Sequence, residues 1–318
     1  MDNFISFKDV ANLDELIDLA LKYKKSPLTD AELGKGKRLG LLFMNPSLRT
    51  RVSTQIAAKN LGLDVVVLNA GQDNWSLEVN DGVIMDGHSV EHIKDAAPVL
   101  GAYFDIIGVR TFPGLKDKAL DTAETLVNQL KKYSKKPVLS LESALLHPLQ
   151  SCADLLTIKE HWHLPRKPKV VLTWAPHIKA IPHCVANSFC EWMTNWDAVD
   201  FSITHPKGME LSKAFTGDLT PEYDQNEALK EADFVYVKNW SSYENYGKMF
   251  ETDEQWMLTE DKLAQTNDAK IMHCLPVRRN VELSDYALDH PNALVTEQAT
   301  NRIWAAQAVL AYLLTQKA

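Results

Sequence analysis

Residues 47–51, Ser47, Leu48, Arg49, Thr50 and Arg51, put two guanidiniums and two hydroxyls into one short stretch. An apolar run over residues 39–44 precedes them, followed by Asn45-Pro46. That pair breaks the run, because a residue before proline is pushed away from helix. Val52 and Ile56 then continue at helical spacing, with Ser47 as the expected N-cap. A strand, a tight turn and a helix start aim backbone N–H groups and the positive helix end at one point. Forked guanidiniums around such a point suit a phosphate. The same spacing also suits a solvated basic turn. Helix dipoles favour acids in the first turn, so two arginines there need another reason.

The other chemistry-bearing residues also follow apolar runs. Arg110 closes the run 105–109, Glu142, His147 and Gln150 follow 138–141, and residues 174–179 follow 169–174. Residues 238–240 and 273–279 stand in the same relation to the runs 233–238 and 270–272. In open α/β sheets the carboxyl ends of strands form the ligand crevice. The inventory is several cations, one or two histidines, a cysteine and few acids, which suits a small anionic substrate. No GxGxxG, GxSxG or metal-ligand cluster is present, and GKGKRLG at residues 34–40 lacks the Lys-Ser/Thr close of a P-loop. His273-Cys274 and His183-Cys184 are neighbours in sequence, which does not make a catalytic dyad.

The elements that must position these groups alternate. Helical spacing is expected over 9–25, after residue 47, and over 92–100 and 119–132. It is expected again in a long helix beginning at His147-Pro148, and over 186–194, 226–232, 253–266 and 296–314, the last strongly amphipathic. Strands are expected at 39–44, 64–69, 105–109, 138–141, 169–174, 201–204, 233–238 and 270–272. Residues 71–92 are polar and rich in turn formers, and read as loops around a short helical piece. Alternating strands and helices in two blocks give an α/β chain of two doubly wound domains with parallel sheets, and a site in the cleft between them.

Bulk properties narrow the function. The 318 residues carry a net charge of -8, which argues against nucleic acid as a partner and makes any phosphate contact local. Four cysteines, Cys152, Cys184, Cys190 and Cys274, form no CxxC pair. With no signal peptide and no apolar run of membrane-spanning length, the expectation is a cytoplasmic protein with no membrane partner.

SLRTR at 47–51, HPLQ at 147–150 and HCLP at 273–276 together resemble the aspartate/ornithine carbamoyltransferases. The resemblance spans nearly the whole chain. It implies carbamoyl phosphate as a substrate, held by Ser47, Leu48 (through its backbone), Arg49, Thr50 and Arg51, with Arg302 as a further cation. It implies that Thr50, Arg110 and His147 donate to the carbonyl oxygen, while Gln150 and the Leu275 carbonyl hold the NH₂ group. Cys274 completes the catalytic set as a wall or backbone contact rather than an attacking thiol. It also implies a carbamoyl phosphate domain over 1–148, an acceptor domain over 149–296, and the terminal helix 297–318 packing back on the first. No cofactor or metal is required: a neutral amine attacks a carbonyl polarised by fixed donors while arginines and a helix end hold the leaving phosphate.

Two departures point to the acceptor. Ornithine enzymes carry D-G-x-N-N and D-x-x-x-S-M-G; here the matching places read Thr173-Trp174-Ala175-Pro176-His177 and Lys238-Asn239-Trp240-Ser241-Ser242. Losing the acid and gaining Lys238 fits an acceptor whose α-amine is acylated, so the chain resembles the N-acetylornithine and N-succinylornithine branch. That likeness implies a homotrimer with shared active sites, Trp75 reaching a neighbour's carbamoyl phosphate, and a place in arginine biosynthesis. It sets Glu142 beside the δ-amine, Asn187 and Lys238 beside the α-carboxylate and acyl amide, and His177 and Lys179 at the acyl end. Acetyl enzymes carry a glutamate where this chain has Val90; removing that charge favours a succinyl group, whose second carboxylate it would repel. N-acetylornithine is the alternative acceptor. Free ornithine, and a carbamoyl phosphate-binding protein without turnover, are weaker readings. A nicotinamide-binding module fits the fold class but lacks the glycine fingerprint.

Overall fold

The computed structural model describes residues 2–70, 72, 76–249 and 254–315. The chain divides into two compact units, one of Met1–Gly114, Ala119–Cys152 and Arg302–Ala318, the other of Leu115–Lys118 and Ala153–Asn301. In chain order the first half contains α1 (Leu13–Lys25), β1 (Arg38–Phe43), α2 (Arg49–Asn60), β2 (Asp64–Asn69), β3 (Leu77–Glu78), β4 (Glu91–His92) and α3 (Ile93–Tyr103). It continues with β5 (Ile106–Arg110), α4 (Lys118–Thr122), α5 (Thr125–Ser134), β6 (Val138–Glu142) and α6 (Pro148–His161). There follow β7 (Lys169–Trp174), α7 (Cys184–Thr194), β8 (Asp200–Thr204), α8 (Lys213–Thr216), α9 (Gln225–Leu229) and β9 (Phe234–Lys238). The last elements are α10 (Glu260–Leu263), β10 (Lys270–Met272), α11 (Asp285–Asp289) and α12 (Val295–Thr315).

Each unit is built on a four-stranded parallel sheet, β2-β1-β5-β6 in the first and β10-β9-β7-β8 in the second. The two orders are the same topology. The first strand of each unit pairs with the second on one side and the third on the other, so strand order reverses beside β1 and beside β7. Ligands of open α/β sheets bind at that reversal, beyond the carboxyl ends. The central strands are mostly apolar because both of their faces are covered, as in β5 and β9, where every residue is buried, while the edge strands β2 and β8 are partly exposed. Leu42, Ile93, Ile107, Val109, Leu126 and Leu130 belong to the core of the first unit, and Val171, Leu229, Val235, Ile271 and Leu283 to that of the second. Gly62 turns α2 into β2 at φ +81°, where a Cβ would lie 2.2 Å from the Ala31 carbonyl oxygen.

Register sets the chemistry-bearing edge. Phe43 at the end of β1 lies opposite Arg110, and a register shift after Val109 brings Arg110 opposite Glu142. In the second unit Trp174 lies opposite Lys238.

Several local expectations fail for identifiable reasons. Leu48, not Ser47, occupies the N-cap of α2, and no side chain caps that helix. The helix expected over 119–132 is two helices, because Glu124 takes a left-handed φ of +46° and its carboxylate accepts from the Leu145 amide at 2.9 Å. The helix expected over 253–266 is a 3₁₀ turn, Glu254–Trp256, followed by short α10. Leu258 is drawn out of helix by backbone bonds to Glu282 and Ser284, 3.2 and 3.0 Å. Among the described residues of 71–92 there is no helix; β3 and β4 pair in parallel instead. Residues 305–311 of α12 are all buried, so that helix is enclosed rather than amphipathic in its middle. Helices α8 and α11 carry too few apolar residues for periodicity to find them. Among the described residues no helix is long and apolar enough to cross a membrane.

Candidate active site

In the first unit five predicted residues form two hydrogen-bonded groups, Arg110 with Glu142 and Arg302 with Thr50 and His147, and His147 Nε2 lies 3.6 Å from Glu142 Oε2. Arg110 donates from Nε and Nη2 to Glu142 Oε2, 3.2 and 2.9 Å, and from Nη1 to the carbonyls of Asn45, 3.2 Å, and Pro46. A guanidinium has five N–H donors, so these four bonds leave one Nη2 hydrogen. The Phe112 ring lies under the guanidinium at 4.1 Å, and the Phe112 amide donates to Asn45 Oδ1 at 2.7 Å. The strand-ending asparagine thus fixes Arg110 from two sides. Neither Asn45 nor Phe112 was singled out from the sequence; the Asn-Pro break was the available signal.

Arg302, delivered by α12, donates from Nη2 to Thr50 Oγ1 at 2.6 Å and faces His147 Nε2 at 3.2 Å. Arginine has no acceptor, so Nε2 must accept and the His147 proton sits on Nδ1. That Nδ1 is buried and has no hydrogen-bond partner among the described residues. Burial first, then the charges of Arg302 and Arg110, push His147 well below its ordinary pKa, so the ring is neutral at neutral pH. Because Thr50 accepts from Arg302, its own hydroxyl proton is available to a ligand. His147 also starts α6, its carbonyl accepting from the Gln150 amide at 3.0 Å, and Gln150 is buried. Ser47, Arg49 and Arg51 are half-buried at the uncapped start of α2, and Arg51 donates to Asn69 at 3.1 Å. The first unit therefore offers backbone N–H groups, the four guanidiniums of Arg49, Arg51, Arg110 and Arg302, and the neutral donors Thr50 and His147, with the Glu142 carboxylate.

The depressed pKa of His147 has a consequence for stability. Below 6.5, the ordinary value for histidine, the unfolded chain binds a proton that the folded chain refuses, so stability is lost as pH falls below that value. His177, His183 and His205 shift in the same direction, each through burial first. The melting temperature should therefore drop between about pH 7.5 and 5.5, and His147→Gln should make that drop shallower. An unchanged slope in the variant would contradict the neutral assignment.

In the second unit, Lys238 is buried at the end of β9, its Nζ donating to the Asn239 carbonyl at 3.0 Å. His177 accepts on Nε2 from Arg278 Nε at 3.3 Å, which leaves Nδ1–H to donate to the Lys179 carbonyl at 3.0 Å. Lys179 itself is exposed, while Asn187 is wholly enclosed in α7. The 273–276 turn carries Cys274, nearly buried, and Leu275 at a left-handed φ of +54°. His273 Nδ1 accepts from the Leu275 amide at 2.9 Å, so Nε2–H points to Glu282 Oε1 at 3.3 Å. Burial alone would raise the Glu282 pKa; the His273 hydrogen bond, with Lys238 and the Arg278 amide, brings it down to about 2. Arg278 and Glu282 were missed as individual site residues, because a pairing across a turn leaves no periodic trace.

Val90 lies in the first unit, 68% exposed, its amide bonded to the Ser76 carbonyl at 3.2 Å. Trp75 lies outside the described residues. Among the described residues no group of three or more His, Cys, Asp or Glu is placed to hold a metal ion.

Comparison with known proteins finds two family models in tandem. Residues 2–160 match the carbamoyl-P binding domain of aspartate/ornithine carbamoyltransferase, and residues 183–313 match its Asp/Orn binding domain. An N-succinylornithine carbamoyltransferase of Bacteroides thetaiotaomicron is 47% identical over 316 residues, 99% of each chain. An N-acetylornithine carbamoyltransferase of Xanthomonas campestris pv. campestris is 36% identical, covering 96% of this chain and 95% of its own. Among solved structures, a valine-for-glutamate variant of N-acetyl-L-ornithine transcarbamylase superposes with a TM-score of 0.92 at 35% identity. The match covers 98% of this chain and 100% of that one, which was complexed with carbamyl phosphate and N-succinyl-L-norvaline.

Proposed function

The chain belongs to the aspartate/ornithine carbamoyltransferase family, and from that premise we infer that it transfers the carbamoyl group of carbamoyl phosphate to the δ-amine of N-succinyl-L-ornithine. The products are N-succinyl-L-citrulline and phosphate, in arginine biosynthesis. The observation that carries the acceptor is the full-length 47% identity to an N-succinylornithine carbamoyltransferase. Val90 supports it, since the similar acetylornithine enzyme that bound an N-succinyl ligand carries valine in place of a glutamate.

In the mechanism that follows from this reading, the start of α2 and its arginines take the phosphate, with Arg302 beside them. The Thr50 hydroxyl, the remaining Arg110 hydrogen and neutral His147 donate to the carbamoyl oxygen, whose negative charge grows as the amine attacks. Fixed donors of that kind stabilise the tetrahedral state more than the ground state. Gln150 and the Leu275 carbonyl hold the carbamoyl NH₂, and Cys274 walls the site. Glu142, already paired with Arg110, faces the δ-amine and shares its developing positive charge. Lys238, His177, Lys179, Asn187 and Val90 accept the acylated end, and Arg278 joins them through His177.

Leu48, Val52 and Ile56 form an exposed apolar stripe at i, i+4 spacing along α2, the helix that starts at the phosphate turn. Such a stripe supports a homotrimer whose contacts reach that turn, with Trp75 lent between subunits; a solution mass of three chains is the expected result. Four buried cysteines that form no disulfide support a cytoplasmic location. The test of the acceptor is carbamoyl phosphate turnover with ornithine, N-acetylornithine and N-succinylornithine side by side. N-succinylornithine should give the highest kcat/KM; preference for N-acetylornithine would select the alternative.

A further inference from the structure

The 273–276 turn holds a left-handed leucine, a conformation that persists only when its surroundings impose it. Three backbone N–H groups in and beside the turn are held by buried side chains. The Leu275 amide donates to His273 Nδ1 at 2.9 Å, the Arg278 amide to Glu282 Oε2 at 2.9 Å, and the His273 amide to Gln298 Oε1 at 2.9 Å. The last of these depends on a residue far from the turn. Gln298 Nε2 donates to Asp154 Oδ1 at 2.7 Å, and both Asp154 on α6 and Gln298 on α12 are wholly buried.

A glutamine amide has two unlike ends, and only the oxygen can accept from a peptide N–H. The His273 amide therefore needs Gln298 oriented with Oε1 toward the turn, which sends Nε2 toward residue 154. An acceptor is needed there. A donor at position 154 would favour the flipped amide and set two donors against each other at His273. Burying a carboxylate costs free energy that an apolar residue at the same place on α6 would not, so Asp154 has a reason beyond packing.

We propose that Asp154 is a positioning residue for carbamoyl transfer: by accepting from Gln298 it fixes the amide that holds His273, and with it the backbone of Cys274 and Leu275. The inference rests on the carbamoyl-transfer reading for its functional consequence. Asp154 is placed to act through Gln298, not by touching substrate.

The chain of polarity provides the test. Gln298→Glu keeps an acceptor for the His273 amide but places a second carboxylate against Asp154. Adding Asp154→Asn supplies a donor to that carboxylate and rebuilds the chain with reversed polarity. The single variant should lose about tenfold or more in kcat/KM for the acceptor, the size expected from one broken hydrogen bond at a positioned group. Its His273 and Leu275 amides should exchange hydrogen faster. The double variant should return both activity and exchange protection close to native. Native kinetics in the single variant overturn the proposal. So does a double variant that regains the native melting temperature without activity, or one that does not fold. If the native chain turns over no acceptor, the carbamoyl-transfer reading fails, while amide exchange at His273 and Leu275 still tests the positioning role.

Discussion

Replacing Arg110 by methionine is expected to lower kcat by about a hundredfold to a thousandfold, the cost of one fixed donor to a developing oxyanion. It should also destabilise the fold by about 3–5 kcal/mol, because Glu142 is left charged and buried without its partner. Both side chains of this pair are under one tenth exposed, so solvent screening does little to soften that cost. The two effects separate in a double variant. Arg110→Met with Glu142→Leu removes the orphaned charge, and buried ion pairs are often replaced by apolar residues at no loss of stability. Urea denaturation should then return toward native while turnover stays low. Near-native kcat in either folded variant would remove Arg110 from the donor set. Arg110→Lys is expected to fall between, since a point charge keeps the Coulomb attraction to Glu142 but loses the fork that also grips the Asn45 and Pro46 carbonyls.

Val90→Glu should move the ratio of kcat/KM for N-succinylornithine over N-acetylornithine by on the order of tenfold to a hundredfold toward acetyl. The substitution lies at an exposed position on a loop, so it should leave the melting temperature nearly unchanged. Repulsion between the new carboxylate and the succinyl end is screened by salt, and the ratio should recover partly at high ionic strength. A lysine there is expected to leave the succinyl preference intact, which separates charge from bulk. If glutamate leaves the ratio where it was, acceptor choice resides elsewhere, with Arg278 and His177 the next positions to alter.

The residues proposed for the carbamoyl phosphate site were legible because their signals are local. Residues 47–51 sit between an apolar run and a helical repeat, and each of Arg110, Glu142 and Lys238 ends a run of buried residues. Where the reading failed, a distant contact overrode local preference. Leu258 leaves helix to pair with the 282–284 segment, and Glu124 breaks a helix to reach the Leu145 amide. Glu282 and Arg278 were invisible as partners because their contacts, to His273 and His177, follow no period.

The sequence by itself determined that the strands are parallel and where the polar residues stand relative to the apolar runs. A continuous apolar run has no solvent side, so it must be covered twice, and the polar residues must collect where the runs end. Which of those residues meet was decided only by tertiary structure. A register shift after Val109 sets Arg110 against Glu142, and α12 returns Arg302 to Thr50 from 252 residues away. Neither follows from spacing, because a ladder's register and a helix's docking are settled by long-range packing and hydrogen bonds rather than by local preference. Spacing left the basic stretch at 47–51 readable as a phosphate turn or a solvated bend; the tertiary contacts add the Arg302 guanidinium at Thr50, with a neutral His147 beside it.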